Sequence, residues 1–100
     1  MNKYLCKVRE VFEVMNRLVV VSDTPCEEFD TRLWRHGSTV ELRRPDGSSL
    51  TTKTWYEMGT PSDPKRAMAF SVENFLKKSD VPLGTEVWLI RSDTDTQQKA

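Results

Sequence analysis

The chain is poor in the residues that usually carry chemistry. Two cysteines and a single histidine stand among 100 residues. A metal centre needs three or four clustered ligands, and His36 has no spaced Cys or His partner, so no metal is expected. Positive and negative side chains cancel, fifteen of each. No overall field therefore draws the protein to nucleic acid or to an anionic membrane, although a local basic patch stays open. The longest apolar run, Leu18 to Val21, is far too short to span a bilayer. The segment Met1 to Lys7 lacks the apolar core of a signal peptide. No membrane partner is expected, and a cytoplasmic location is.

The two cysteines fit that compartment as free thiols. Cys6 lies in an apolar alternation and reads as a small core residue. Cys26 lies among Asp23, Glu27, Glu28 and Asp30, where negative charge disfavours a thiolate and hence a reactive nucleophile. No glycine loop for phosphate, no set of nucleophile, base and orienting group, and no cofactor fingerprint is present. The expectation is no enzyme and no cofactor.

What is present is alternation and turn chemistry, on a chain of one-domain length. The stretch Gly37 to Leu50 opens, after a turn over His36-Gly37-Ser38, with an alternating strand, Val40 and Leu42 on one side and Glu41 and Arg43 on the other. It runs into Pro45-Asp46-Gly47 and re-emerges as Leu50 to Met58. Proline presets the first turn residue, aspartate tolerates the bend and glycine takes positive φ, which together make a β-hairpin signal. Tyr4 to Met15 reads as a long first strand. Tyr4, Cys6 and Val8 alternate, Phe12 and Val14 share their parity, and a bulge or a pairing end is expected near Arg9-Glu10, where Glu10 interrupts the apolar face. Asn16-Arg17 turns the chain into Leu18 to Val21, a β-branched strand buried on both faces. Ser22 to Asp30 reads as a polar loop or one helical turn, capped by Ser22 or Thr24 with Pro25 first.

Thr31 to Arg35 reads as a short third strand, with Leu33 on one face and Trp34 on the other. Thr52, Thr54, Tyr56 and Met58 share a face opposite Thr51, Lys53, Trp55 and Glu57. Gly59 to Arg66 reads as an exposed loop. Ala67 to Leu76 has both helical and strand spacing, and the longer alternation favours the strand. Lys77 to Gly84 is a connection, Thr85 to Ile90 a last strand. Residues 93–100 form a polar tail expected to be disordered after a single domain over residues 1–92. The fold expected is all-β: a small, closed, antiparallel-rich barrel of six to seven strands with little helix.

The order of these pieces resembles the second-domain barrel of elongation factor Tu-type translation GTPases. Val8 to Val14, a turn and Leu18 to Val21 are similar to that family's V-x-D-V-F-x-I opening followed by V-V-T-G. Leu33, Gly37 and Val40-Glu41-Leu42 are similar to its I-K-x-G-D-x-V-E-I run, and Thr52 to Met58 to its T-x-V-x-x-V-E-M strand. Met68 to Pro82, with Gly84, is similar to its V-G-x-x-L-x-G-I-x-x-x-D-V-x-x-G segment. The departures are Met15-Asn16-Arg17 in place of a glycine-rich turn and an insertion over Asp23 to Phe29. The resemblance implies a translation-protein barrel standing alone. It transfers no site residue, because a shared fold does not carry function.

Candidate binding residues come from basic and aromatic side chains. Arg32, Arg35, His36, Arg43 and Arg44 form the densest basic group, with Trp34 interleaved, a pattern able to grip phosphates and stack a base. Its alternative is two solvated strand faces. Trp55 and Trp88 each lie opposite the core parity, as outer aromatics for a partner or as residues packed under loops. His36 reads as a turn histidine, and Asp23, Glu27, Glu28 and Asp30 as a solvated acidic loop. The function expected is a non-enzymatic module that docks another protein through Arg32, Trp34, Arg35, Arg43, Arg44, Trp55 and Trp88. The alternative is an RNA-binding barrel linked to translation.

Overall fold

A computed structural model describes residues 2–29, 33–57 and 66–90. They form six strands, β1 (Asn2–Val14), β2 (Arg17–Pro25), β3 (Ser38–Arg43), β4 (Ser49–Tyr56), β5 (Ala67–Val72) and β6 (Glu86–Ile90). Every neighbouring pair is antiparallel, and the ring closes in the order β1-β2-β5-β4-β3-β6. Two short 3-10 turns, Cys26–Glu28 and Lys78–Asp80, are the helical elements among the described residues. No helix among those residues is long and apolar enough to cross a membrane.

The hairpin of β3 and β4 follows the local chemistry. Gly47 sits at φ 93°, a conformation that a Cβ disfavours. Its N–H bonds the carbonyl of Arg44, and the N–H of Arg44 bonds that of Ser48. The hydroxyl and N–H of Ser48 both donate to Asp46 Oδ1, at 2.6 and 2.9 Å, and hold that carboxyl below its ordinary pKa. Val40 and Leu42 point inward from β3, Thr52 and Thr54 from β4, all fully buried. Phe70, Val20, Val87 and Cys6 join them in one core, so side chains fill the barrel.

Several expectations need correcting. β1 does carry a bulge between Val8 and Glu10, but the extra residue reverses the alternation beyond it. Val11 therefore enters the core, while Phe12 and Val14, expected inside, face outward. The tight turn is centred one residue early, on Met15 and Asn16, both at positive φ (47° and 70°). That is the mirror-image turn whose twist suits a two-residue hairpin. β2 continues to Pro25, well past Val21, because β5 still pairs there after a register shift. Pro25 itself occupies the cap of the 3-10 turn, with no side-chain cap bond. Ser22 and Thr24 instead bond each other locally, Ser22 Oγ to the Thr24 carbonyl and the Thr24 N–H to Ser22 Oγ.

The expected third strand is a turn over Leu33 to Gly37, and Thr31 lies outside the described residues. β5 ends at Val72, not Leu76. Glu73 to Leu76 closes a turn with the Leu76 N–H on the Glu73 carbonyl, which still brings Leu76 against the core. Most of the Gly59–Arg66 loop and the 93–100 tail fall outside the described residues.

Candidate functional site

The three tryptophans take three different positions. Trp34 is 1 % exposed and belongs to the core. Its Nε1 donates to Thr54 Oγ1 at 2.8 Å. Its indole meets Phe29, Phe70 and Tyr56 edge to face, at centroid distances of 5.0, 5.1 and 5.9 Å. An indole so enclosed cannot stack a base or meet a partner, and Trp34 leaves the candidate set. The two-residue alternation that placed it on an outer face does not apply in a turn.

Trp88 lies on the outer face of β6, level with Tyr4 of β1 and Glu41 of β3. Tyr4 meets it edge to face at 5.4 Å, and the Arg43 guanidinium sits 4.1 Å over its ring. Its Nε1 donates to Glu86 Oε1 at 3.0 Å, and Arg43 Nε bonds Glu41 Oε1 at 2.7 Å. The polar tip and one face of the indole are thus satisfied within the barrel wall. Arg44 turns the other way. Its Nε donates to the Asp80 carbonyl at 2.8 Å and its Nη2 lies 3.7 Å from the Asp80 carboxylate. The exposed Arg35 sits in the turn before β3, where its backbone N–H bonds Ser38 Oγ. Arg32 lies outside the described residues. Of the basic group, then, Arg43 and Arg44 are each turned onto an acidic residue of the protein itself.

Trp55 projects from β4, two strands round the ring from β6. The register lines Trp55, Ser71, Val19 and Phe12 in one row across β4, β5, β2 and β1. Trp55 is 37 % and Phe12 47 % exposed, and Val19 lies nearly buried between their strands. Val14 continues the row's parity on β1, and Met15 at the hairpin tip is 87 % exposed. A bidentate bridge from Arg17 to Glu57, at 2.9 and 2.7 Å, ties β2 to the end of β4 across β5. Sequence reasoning identified Trp55 but missed Phe12, Val14 and Met15. The signal was available: a bulge at Arg9 reverses parity for everything after it.

The remaining candidates are held by local contacts. The Tyr56 N–H donates to His36 Nδ1 at 3.2 Å, and the His36 ring packs against the Tyr56 ring. Both cysteines are free thiols. Burial, with Asp23 adding to it, pushes the Cys6 thiol up to about 12, which leaves no thiolate for nucleophilic work near neutral pH. Partial burial pushes the Asp23 carboxyl up, but bonds from the Lys7 N–H and the Thr24 hydroxyl outweigh it and hold the pKa below the ordinary value. No three His, Cys, Asp or Glu among the described residues are placed to hold a metal ion. A cleft of about 50 Å³ beside Leu5, Phe29, Leu33 and Trp34 is far smaller than the pockets, about 300–1,000 Å³, that take small molecules. Compared with known families, with curated proteins and with solved structures, the chain matches none.

Proposed function

We propose that this chain is a non-enzymatic, cytoplasmic binding module that docks another protein on the outer face of β1, β2, β5 and β4. One observation carries the reading: Phe12, Val14, Met15 and Trp55 are exposed together around Val19, on a barrel whose interior is already filled. Grouped exposed apolar and aromatic side chains are the composition of an interface centre, whereas isolated ones are ordinary. Met15 adds to it. A long apolar residue at φ 47° and 87 % exposure stands where folding alone favours asparagine or glycine. Free thiols on Cys6 and Cys26 suit a reducing compartment.

The RNA-binding reading has less support. It loses Trp34 as a stacking platform, and Arg43 and Arg44 are engaged with acidic partners. The six-strand closed barrel is compatible with a translation-protein ancestry, which we keep as a reading of the fold alone.

The test is site-specific photo-crosslinking in the native host, with the photoreactive residue in turn at Phe12, Trp55, Trp88 and Lys53. Discrete protein adducts at positions 12 and 55 that survive ribonuclease support the reading. Adducts confined to position 88, or adducts that are RNA, overturn it.

A further inference from the structure

The barrel closes only along part of β1. That strand runs from Asn2 to Val14, but β6 pairs with it only from Asn2 to Lys7. The Val8 N–H and carbonyl still reach the turn before β6, bonding the Thr85 carbonyl and the Gly84 N–H. Beyond that point β1 has β2 on one side and no strand on the other among the described residues. The hairpin fixes which backbone groups are left over. Val14 and Arg17 flank a two-residue turn, so they form a hydrogen-bonded pair, and bonding alternates back along the strand. Phe12 and Glu10 therefore bond β2, while the N–H and C=O of Val11 and Glu13 point away from it. Neither residue has another hydrogen-bond partner among the described residues.

We propose that this edge pairs with the same edge of a second copy, β1 against β1 in antiparallel array about a twofold axis. An unpaired strand edge is a template for another strand. A second copy brings the identical open edge, so one isologous contact satisfies both. The register follows from what the edge offers. Centring the axis on Phe12 sets Val11 opposite Glu13 twice, so that each pair exchanges both of its backbone bonds, and sets the two Phe12 rings side by side. Each of Glu10 and Glu13 then faces an apolar residue, Val14 or Val11. Centring on Val11 would drive Val14 into Val8, whose backbone groups are already used. Centring on Glu13 would oppose two carboxylates, which is unfavourable. A strip this short gives an interface at the small end of specific contacts, so association depends on concentration. The proposal rests on the backbone edge, which lies in the plane of the sheet, and not on the outward-looking docking face above, although the two share the Phe12 side chain.

The test is sedimentation of the purified full chain from about 10 µM to about 1 mM, with amide exchange by NMR over the same range. The mass is expected to rise from one chain towards two. Protection at the Val11 and Glu13 amides should grow with it, while the Phe12 amide, bonded to Val19 in the hairpin, is protected throughout. Glu13→Pro removes a donor that the hairpin does not use, and Phe12→Lys puts like charges across the axis. Each should weaken association at least about tenfold, with a change at the exposed Lys53 of β4, Lys53→Ser, leaving it unchanged. If Glu13→Pro does not fold, Phe12→Lys carries the test alone. A mass of one chain up to 1 mM overturns the proposal. So does association that both edge variants leave intact, and so does full protection of Val11 and Glu13 at the lowest concentration, which would mean that the chain covers its own edge.

Discussion

The outer wall of this barrel has two aromatic regions, one centred on β6 and one spanning β1, β2, β5 and β4, and they differ in how much of their bonding is already complete. Around β6, Trp88 has a guanidinium on its face, a tyrosine at its edge and a carboxylate on its N–H. Flanking β2 and β5, Phe12 and Val14 of β1, Met15 of the hairpin turn and Trp55 of β4 expose part of their apolar surface. Both regions share one structural origin, residues of outward parity on a closed sheet. The difference lies in the neighbours that the register supplies. β3 sets Arg43 and Glu41 beside Trp88, while β2 and β5 set Val19 and Ser71 between Phe12 and Trp55. An exposed tryptophan is therefore a poor sign of a docking site until its polar neighbours are known.

The buried third tryptophan calibrates the other two, and changing it should have the largest effect. Trp34→Ala removes an indole packed by three aromatic rings and leaves Thr54 Oγ1 without its donor. A loss of about 3–5 kcal/mol is expected, a large share of the stability of a small domain. Urea denaturation measures it. A loss near that of Trp55→Ala would mean that inner and outer positions are not distinct.

The closed side can be probed by pH. Cys6 pairs with Val87 beneath the β1–β6 wall, and burial raises its thiol pKa to about 12 from an ordinary 9.0. Below pH 9 the thiol is protonated in both the folded and the unfolded chain, and it costs nothing. As pH rises from about 9 towards 12, the unfolded chain loses the proton and the folded chain keeps it. Stability should fall by roughly 1.4 kcal/mol per pH unit in that window. Denaturant midpoints between pH 8 and 11 measure the slope, and Cys6→Ala should remove the part that begins near pH 9, leaving a smaller fall above about pH 10 from Tyr4, whose pKa burial also raises. A slope unchanged in Cys6→Ala would show that the wall over β6 admits water.

Arg43 and Trp88 test the same side in smaller steps. Their double-mutant cycle should give a coupling of about 0.5–1 kcal/mol, the usual size for a guanidinium over a partly exposed ring. No coupling would make the two regions equivalent.

How far the sequence displayed this contrast depends on the kind of signal. The hairpin over Val40 to Thr54 was legible because turn chemistry and alternation are local, and both lie in consecutive residues. The closed barrel was legible for the same reason, strand after strand. The outer faces were not. Arg43 comes over Trp88 only because β3 and β6, distant in sequence, are neighbours in the ring. Trp34 was misplaced because a turn between strands obeys no two-residue rule. Phe12 follows the interruption of the apolar face at Glu10, and only the extra residue of a bulge, not a simple end of pairing, reverses its parity.

The smallest expected effect separates the regions by sign. At the tip of the open side Met15 holds φ 47° with almost all of its side chain in water. Left-handed backbone costs a residue with a Cβ about 1 kcal/mol, and glycine escapes most of that while losing more freedom on folding. Met15→Gly should therefore raise stability by about 0.5 kcal/mol, seen as a slightly later denaturant midpoint. Around Trp88 the outward Tyr4, Glu41, Arg43 and Glu86 each contribute to a bond or a ring contact instead. If the tip exists for docking, the same change should weaken crosslinking at position 12 while the protein becomes more stable. A gain in stability with undiminished crosslinking would make Met15 a tolerated flaw of the turn and confine the docking face to Phe12, Val14 and Trp55. A loss of stability would mean that the methionine packs against something at the tip, and the two sides would then be alike in having completed their contacts.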